Sequence, residues 1–228
     1  MNHEETALSP EKLEAIASLC PRRWDYYYTR SKLSTDPVYG AVLAHVRGSE
    51  LPLLDIGCGM GLLSHYLRAM GQDAAVMGFD YDARKIKAAR IMAERAGVRD
   101  VHFDHGDART QMPDFHGHVV ILDILQFFTE AEQNTLLTSA AARVAPGGSL
   151  IIRSGLQDDS WRFRITVWVD YFAKFCLWMK AAPTRYPDAA QFQRVLEKAG
   201  LEVSIQPLWG GTPFNNFLII GQRAQDTR

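Results

Sequence analysis

Apolar residues fall along this chain in two alternating rhythms. Short unbroken runs at 51–56, 74–79, 117–123 and 148–153 are rich in Val, Leu and Ile and are bounded by Gly or Asp, so they read as strands buried on both faces. Between them the apolar spacing lengthens to three and four. Leu62, Leu63, Tyr66, Leu67 and Met70 follow that spacing, and Gly71 supplies a C-terminal stop. Ile86, Ala89, Arg90 and Ala93 mark a helix over 83–96 that closes at Gly97 in the same way. Thr129 with Glu132 makes a capping box that opens a helix to Arg143, after which "APGG" turns the chain into the next strand. Strand and helix alternating in this order require right-handed crossovers and a parallel sheet with helices on both faces.

The ends depart from the alternation. Residues 9–19 and roughly 22–47 carry helical patterns before the first strand, and predict a helical lid over 1–47 covering the sheet's carboxyl edge, ahead of a main domain over 48–223. At the other end, "LEVSIQPLWGG" and "FNNFLIIGQR" are strand-like and joined around Thr212 and Pro213 with no helix between them, which predicts an antiparallel hairpin at the sheet edge.

Composition narrows the possibilities. The 228 residues, 47% hydrophobic and 22% charged, suit one globular domain with an appended lid. A net charge of -1 gives no bulk positive field for nucleic-acid phosphates. The N-terminal stretch carries acids where a signal peptide carries positive charge, so a cytoplasmic protein is expected. Cys20, Cys58 and Cys176 are too scattered for a disulfide framework or paired metal ligands. The aromatic segment 160–180 is interrupted by Arg162, Arg164, Asp170 and Lys174, so no membrane span is expected.

Candidate chemistry begins at "LLDIGCGMG", residues 53–61. Gly57, Gly59 and Gly61 lie beside the first strand, at the switch point where open α/β sheets bind ligands, and bare backbone there permits close approach. Asp80 ends the second strand about 20 residues beyond the loop, the separation at which an acid reaches ribose hydroxyls, so a nucleoside is implied. Asp107, in "HGDART", is placed to accept a bond from an adenine amine; capping a following helix is its alternative role. The dinucleotide fingerprint is G-x-G-x-x-G, whereas this loop reads D-x-G-x-G-x-G.

Five stretches in order, "LLDIGCGMG", "GFDYD", "HGDART", "VVILDILQFF" and "RVAPGGSLIIR", resemble the motifs of class I S-adenosylmethionine-dependent methyltransferases over roughly residues 40–223. The resemblance implies a Rossmann-like, seven-stranded, mostly parallel sheet with helices on both faces and a reversed seventh strand. It implies that Asp55 and the backbone from Gly57 through Cys58 and Gly59 to Gly61 hold the methionine part of the cofactor, and that Asp80 chelates the ribose. Tyr81 would lie against the adenine, and Asp107 and Ala108 would meet its edge. Asp123 and Gln126 would face the methyl group and the acceptor, although relatives often place a His at the position of Gln126. The aromatic-rich segment around Trp24 to Tyr28, with Arg30 and Lys32, reads as a lid that would close over the methionine carboxylate through Arg30 or Lys32; solvated surface is the alternative role of each base.

The reaction class needs orientation more than covalent help. Gln126 and His105 are the catalytic candidates, His116 and His118 are also near in sequence, and no general base is singled out. Asp123 is followed by Ile124 and Leu125, not by the Pro-Pro of amine and amide methyltransferases, and the Pro-Cys of base-carbon enzymes is missing there. Asp123 with Asp158 and Asp159 only loosely echoes a metal set, and no metal is expected. Trp161, Ile165, Trp168, Phe172, Phe175 and Met179 follow helical spacing within a substrate-covering helix near 159–180, so half of that aromatic set is expected in the core. The surplus suits a flat aromatic or apolar small molecule, or a homodimer partner. Tyr28, Gln126, Phe127, Trp161 and Trp168 are the acceptor-side candidates. "SKLSTDPVY" resembles small methyltransferases of bacterial aryl-polyene pigment pathways, which implies an aromatic head-group precursor, free or carrier-bound. Two alternatives stand beside this reading: a cofactor-binding but non-catalytic scaffold of the same fold, and a nicotinamide-dependent oxidoreductase.

Overall fold

The computed structural model of the chain describes residues 6–175 and 183–225. It divides into two units, Met1–Gln111 and Met112–Arg228. The first contains α1 (Pro10–Ser18), α2 (Arg23–Thr35), α3 (Val38–Val46), β1 (Leu53–Ile56), α4 (Leu62–Ala69), β2 (Val76–Asp80), α5 (Ala83–Ala96) and β3 (Val101–His105). Its strands lie in the order β3-β2-β1 and are parallel, with Asp55 opposite Gly78 and Asp80 opposite His105.

The second unit contains β4 (His118–Leu122), α6 (Glu130–Ala141), β5 (Ser149–Gly155), α7 (Trp161–Phe175), α8 (Ala189–Lys198), β6 (Glu202–Pro207) and β7 (Asn216–Gln222). Its order is β4-β5-β7-β6; β4 and β5 are parallel, and β7 runs against both of its neighbours. Seven mostly parallel strands with a C-terminal antiparallel hairpin are the expected fold class. Among the described residues no helix is long and apolar enough to cross a membrane.

The helix ends follow local chemistry. The predicted capping box is present: Thr129 accepts from the Glu132 N–H, and the Glu132 carboxylate accepts from the Thr129 N–H at 2.7 Å. Gly97 closes α5 with φ 64°. One expectation needs correction, because the helical pattern over 22–47 is two helices. Pro37 forces the residue before it out of the helical region, and Asp36 has ψ 115°.

The N-terminal helices are fastened within the first unit by polar contacts. Glu14 of α1 accepts from the Tyr26 hydroxyl and from Arg30 of α2, each at 2.8 Å. Arg95, in the last turn of α5, donates to the carbonyls of Leu19 and Cys20, satisfying the end of α1.

On α7, Trp161 and Trp168 are 59% and 67% exposed and belong to the surplus beyond the core, whereas Thr166 is buried. Thr166 accepts from the Asn215 N–H at 2.8 Å, and Phe163 packs edge-on against Tyr186 with centroids 5.2 Å apart. Cys176, Trp178 and Met179 lie outside the described residues.

A buried amide network organises the end of β4. Gln133, fully buried on α6, donates to the carbonyls of Leu125, Phe128 and Arg185 at 2.9–3.2 Å, and accepts from Gln191 of α8 at 3.0 Å. We expect Gln133→Leu, similar in size but without the amide donor, to remove that donor from these carbonyls and to lower stability by about 2–3 kcal/mol in urea unfolding.

Candidate cofactor site

The loop after β1 is built from left-handed glycines. Gly57, Gly59 and Gly61 have φ of 78°, 57° and 74°, a region that costs other residues roughly 1–2 kcal/mol each. The loop is tied to β2 at three points. The N–H groups of Gly57 and Cys58 donate to the Phe79 carbonyl at 2.8 and 3.1 Å, and that of Gly59 donates to the Asp80 carboxylate at 3.0 Å. The other Asp80 oxygen accepts from the Asp82 N–H at 2.8 Å, so one buried acid fixes both the loop and the turn into α5.

The three glycines serve different purposes. A Cβ on Gly61 would lie 2.3 Å from the Phe103 ring, so that glycine is needed for packing. A Cβ on Gly59 would meet nothing within 4 Å, and this backbone borders open space. That is the shape of a cradle that a ligand fills and a side chain would obstruct.

Two acids stand at this cradle. Asp55, at the middle of β1, is only 3% exposed, and among the described residues none donates a hydrogen bond to its carboxyl. Burial, reinforced by the charge of Asp80, pushes it up to about 7. The Cys58 thiol is pushed far up by burial and by the same two acids, which leaves it an inert neutral group. An unpaired buried carboxyl, a second acid at the end of β2 and bare backbone between them fit a ligand with a cationic end and a ribose-like diol. His65 of α4 is buried with Nε2 unpaired, and burial lowers it to about 4, so the ring is neutral.

The remaining candidates of the first unit are placed as follows. Tyr81 is half exposed, and its carbonyl is bonded to His105 Nε2 at 3.0 Å. That bond occupies one ring nitrogen of His105, which lines a shallow depression of about 440 Å³ along α5 with Ile86, Lys87 and Arg90. Burial opposes ionisation of Asp107, yet bonds from the Arg109 side chain and N–H hold its carboxyl below the usual range. Asp107 thus caps its own turn, with Ala108 beside it half-buried. Lys32 is paired with Asp36 at 2.6 Å and Arg30 with Glu14, while Tyr28 is exposed.

In the second unit, Asp123 is the one non-glycine residue with positive φ (57°) among those described. Its carboxylate is gripped by Arg153 of β5, whose Nε donates at 2.7 Å and whose terminal nitrogen pairs with the other oxygen. Gln126 donates to the Asp123 carbonyl at 3.1 Å, and its own carbonyl accepts from the Thr184 N–H at 2.7 Å. Phe127 is half-buried and Trp161 and Trp168 are exposed. His118 is buried and accepts from the Ser149 N–H, a structural role, and His116 is exposed. Asp158 accepts from Ser160 and Asn215, and no metal-like cluster of His, Cys, Asp and Glu occurs among the described residues. Sequence reasoning missed Arg153, Gln133 and Gln191. A charged residue inside the apolar run "SLIIRSG" was the available signal for the first of these.

Residues 47–200 match the family described as a methyltransferase domain, and the chain belongs to that family. The ribosomal protein L11 methyltransferase of Hahella chejuensis is 34% identical over 113 residues, 47% of this chain and 34% of that protein. The ubiquinone biosynthesis O-methyltransferase of Cereibacter sphaeroides is 30% identical over 141 residues, 61% of this chain and 54% of that protein. The chain thus spans only about a third to a half of the length of these curated relatives. Among solved structures, magnesium protoporphyrin IX methyltransferase from Synechocystis, determined with bound S-adenosylhomocysteine, superposes with a TM-score of 0.67 at 16% identity, covering 94% of this chain and 93% of that one. At that identity the likeness establishes the fold, that of class I methyltransferases.

The two glycines should respond differently to substitution. Gly61→Ala combines left-handed strain with the Phe103 clash and is expected to cost about 2–4 kcal/mol in chemical unfolding. Gly59→Ala, with strain alone, should cost only about 1 kcal/mol.

Proposed function

We propose that this chain is an S-adenosylmethionine-dependent methyltransferase whose acceptor is a small aromatic or apolar molecule. The observation that carries the reading is the glycine cradle held against Asp80, with Asp55 beside it. Asp55 and the loop from Gly57 to Gly61 hold the amino-acid end of the cofactor, Asp80 its ribose, and Tyr81, Asp107 and Ala108 its adenine. When bound, the cofactor supplies an electrophilic methyl group on a sulfonium. The chain's own contribution is to orient and to exclude water.

Family membership over residues 47–200 supports the reaction class. Acceptor class is supported by the second unit, where Trp161 and Trp168 leave flat apolar surface on α7 and Asp123 lacks the Pro-Pro that follows it in amine methyltransferases. Phe127 and Gln126 belong to the same acceptor-side set, and Tyr28 to the N-terminal helices proposed as a lid. An aryl-polyene head-group precursor, free or carrier-bound, is the specific acceptor that the "SKLSTDPVY" segment favours. A homodimer is the other use for the exposed tryptophans.

The test is calorimetric titration with S-adenosylhomocysteine, NADH serving as control, followed by labelled-methyl transfer to a panel of hydroxyphenyl acids. Asp80→Asn keeps the size of the side chain but leaves one oxygen where two accept from the Gly59 and Asp82 N–H groups, so it loosens the loop tie as well as weakening acceptance from ribose hydroxyls, and is expected to reduce affinity at least tenfold. Unchanged affinity in that variant would remove Asp80 from the site. Transfer to none of the acids would remove the aromatic acceptor.

A further inference from the structure

The two buried acids of the first unit are held in unlike ways. Each Asp80 oxygen accepts a backbone N–H, from Gly59 and from Asp82. Asp55 accepts no bond from the described residues and is almost wholly out of water. A buried carboxyl that no donor reaches holds its proton more firmly than one in water.

The other titratable groups nearby do not supply a counter-charge. Cys58 in the loop is a neutral thiol, and His65 of α4 is a neutral ring. The charge of Asp80 acts on Asp55 and is of the same sign, so it opposes ionisation of that carboxyl.

We propose that Asp55 carries a proton in the ligand-free protein and releases it when the ammonium of the cofactor's amino-acid end docks, so that cofactor affinity rises with pH. The inference rests on the cofactor reading above and adds a proton to its binding equilibrium. The step balances: one carboxyl O–H bond breaks, the proton passes to buffer, and the carboxylate remains as partner to the ammonium. The direction follows from linkage. Ligand-free protein binds one proton more than the complex, so affinity falls as pH drops through the range in which Asp55 titrates, and levels off above it.

The experiment is titration of the full chain with S-adenosylhomocysteine in two buffers of different ionisation enthalpy at each pH. With Asp55 titrating at about 7, nearly one proton is expected to be released per ligand near pH 6, and affinity should be roughly eightfold tighter near pH 7.5 than near pH 6. Asp55→Asn, neutral and of the same shape, is expected to release no proton and to change affinity by less than about twofold over that range. Should this variant fail to fold, infrared difference spectra of the wild-type chain near pH 6 provide the same test, through loss of a protonated-carboxyl stretch on ligand addition. Equal heats in both buffers with pH-independent affinity, or equal proton release by Asp55→Asn, would overturn the inference and leave the cofactor reading standing. No binding of S-adenosylhomocysteine at any pH would overturn both.

Discussion

The bond from the Gly59 N–H to the Asp80 carboxylate is the constraint on which the first unit's site depends. The loop after β1 holds three glycines in left-handed conformations and makes few internal bonds, so by itself it would be one of many loop shapes. Asp80, fixed in register at the end of β2, selects one of them. Its second oxygen starts α5 through Asp82, which in turn caps that helix through the Arg84 N–H. One buried acid therefore sets the loop, the turn and the helix entry. The exclusion of side chains finishes the arrangement, since a Cβ on Gly61 or Gly78 would collide with the Phe103 ring.

The second unit solves a related problem with amides and an ion pair. The chain after β4 leaves extended structure abruptly, and the carbonyls of that turn point inward, where water cannot reach them. Gln133 receives three carbonyls and Gln191 braces it, while Arg153 clamps Asp123 in its left-handed conformation. Buried polar groups of this kind contribute little net stability compared with water, but leaving any one of them unpaired is costly. The turn that carries Gln126 and Phe127 therefore has one shape.

Methyl transfer from a sulfonium asks little of a protein beyond alignment, and the site's economy is consistent with that chemistry. Among the described residues no activated nucleophile is evident, the buried Cys58 thiol is held neutral, and the histidines nearest in sequence are bonded to backbone or exposed. On α7, Thr166 accepts from the Asn215 N–H while Trp161 and Trp168 face solvent.

The sequence by itself determined the alternation of strands and helices, the reversed C-terminal hairpin, the capping box at Thr129 and the position of the glycine loop. Each of these is written in local patterns of a few residues: apolar period, cap chemistry, or glycine where φ must be positive. It also placed Asp55 within the first strand and Asp80 at the end of the second, because strand register counts residues. Only the tertiary structure decided what those acids touch. That Asp80 spends one oxygen on the Gly59 N–H, that Asp55 has no described partner, and that Arg153 lies buried against Asp123 are consequences of packing between segments far apart in the chain, whereas Asp107 turns to Arg109 only two residues on. The contact of α7 with the rest of its unit was decided in the same way, through a hydrogen bond from the Asn215 N–H to Thr166, 49 residues away.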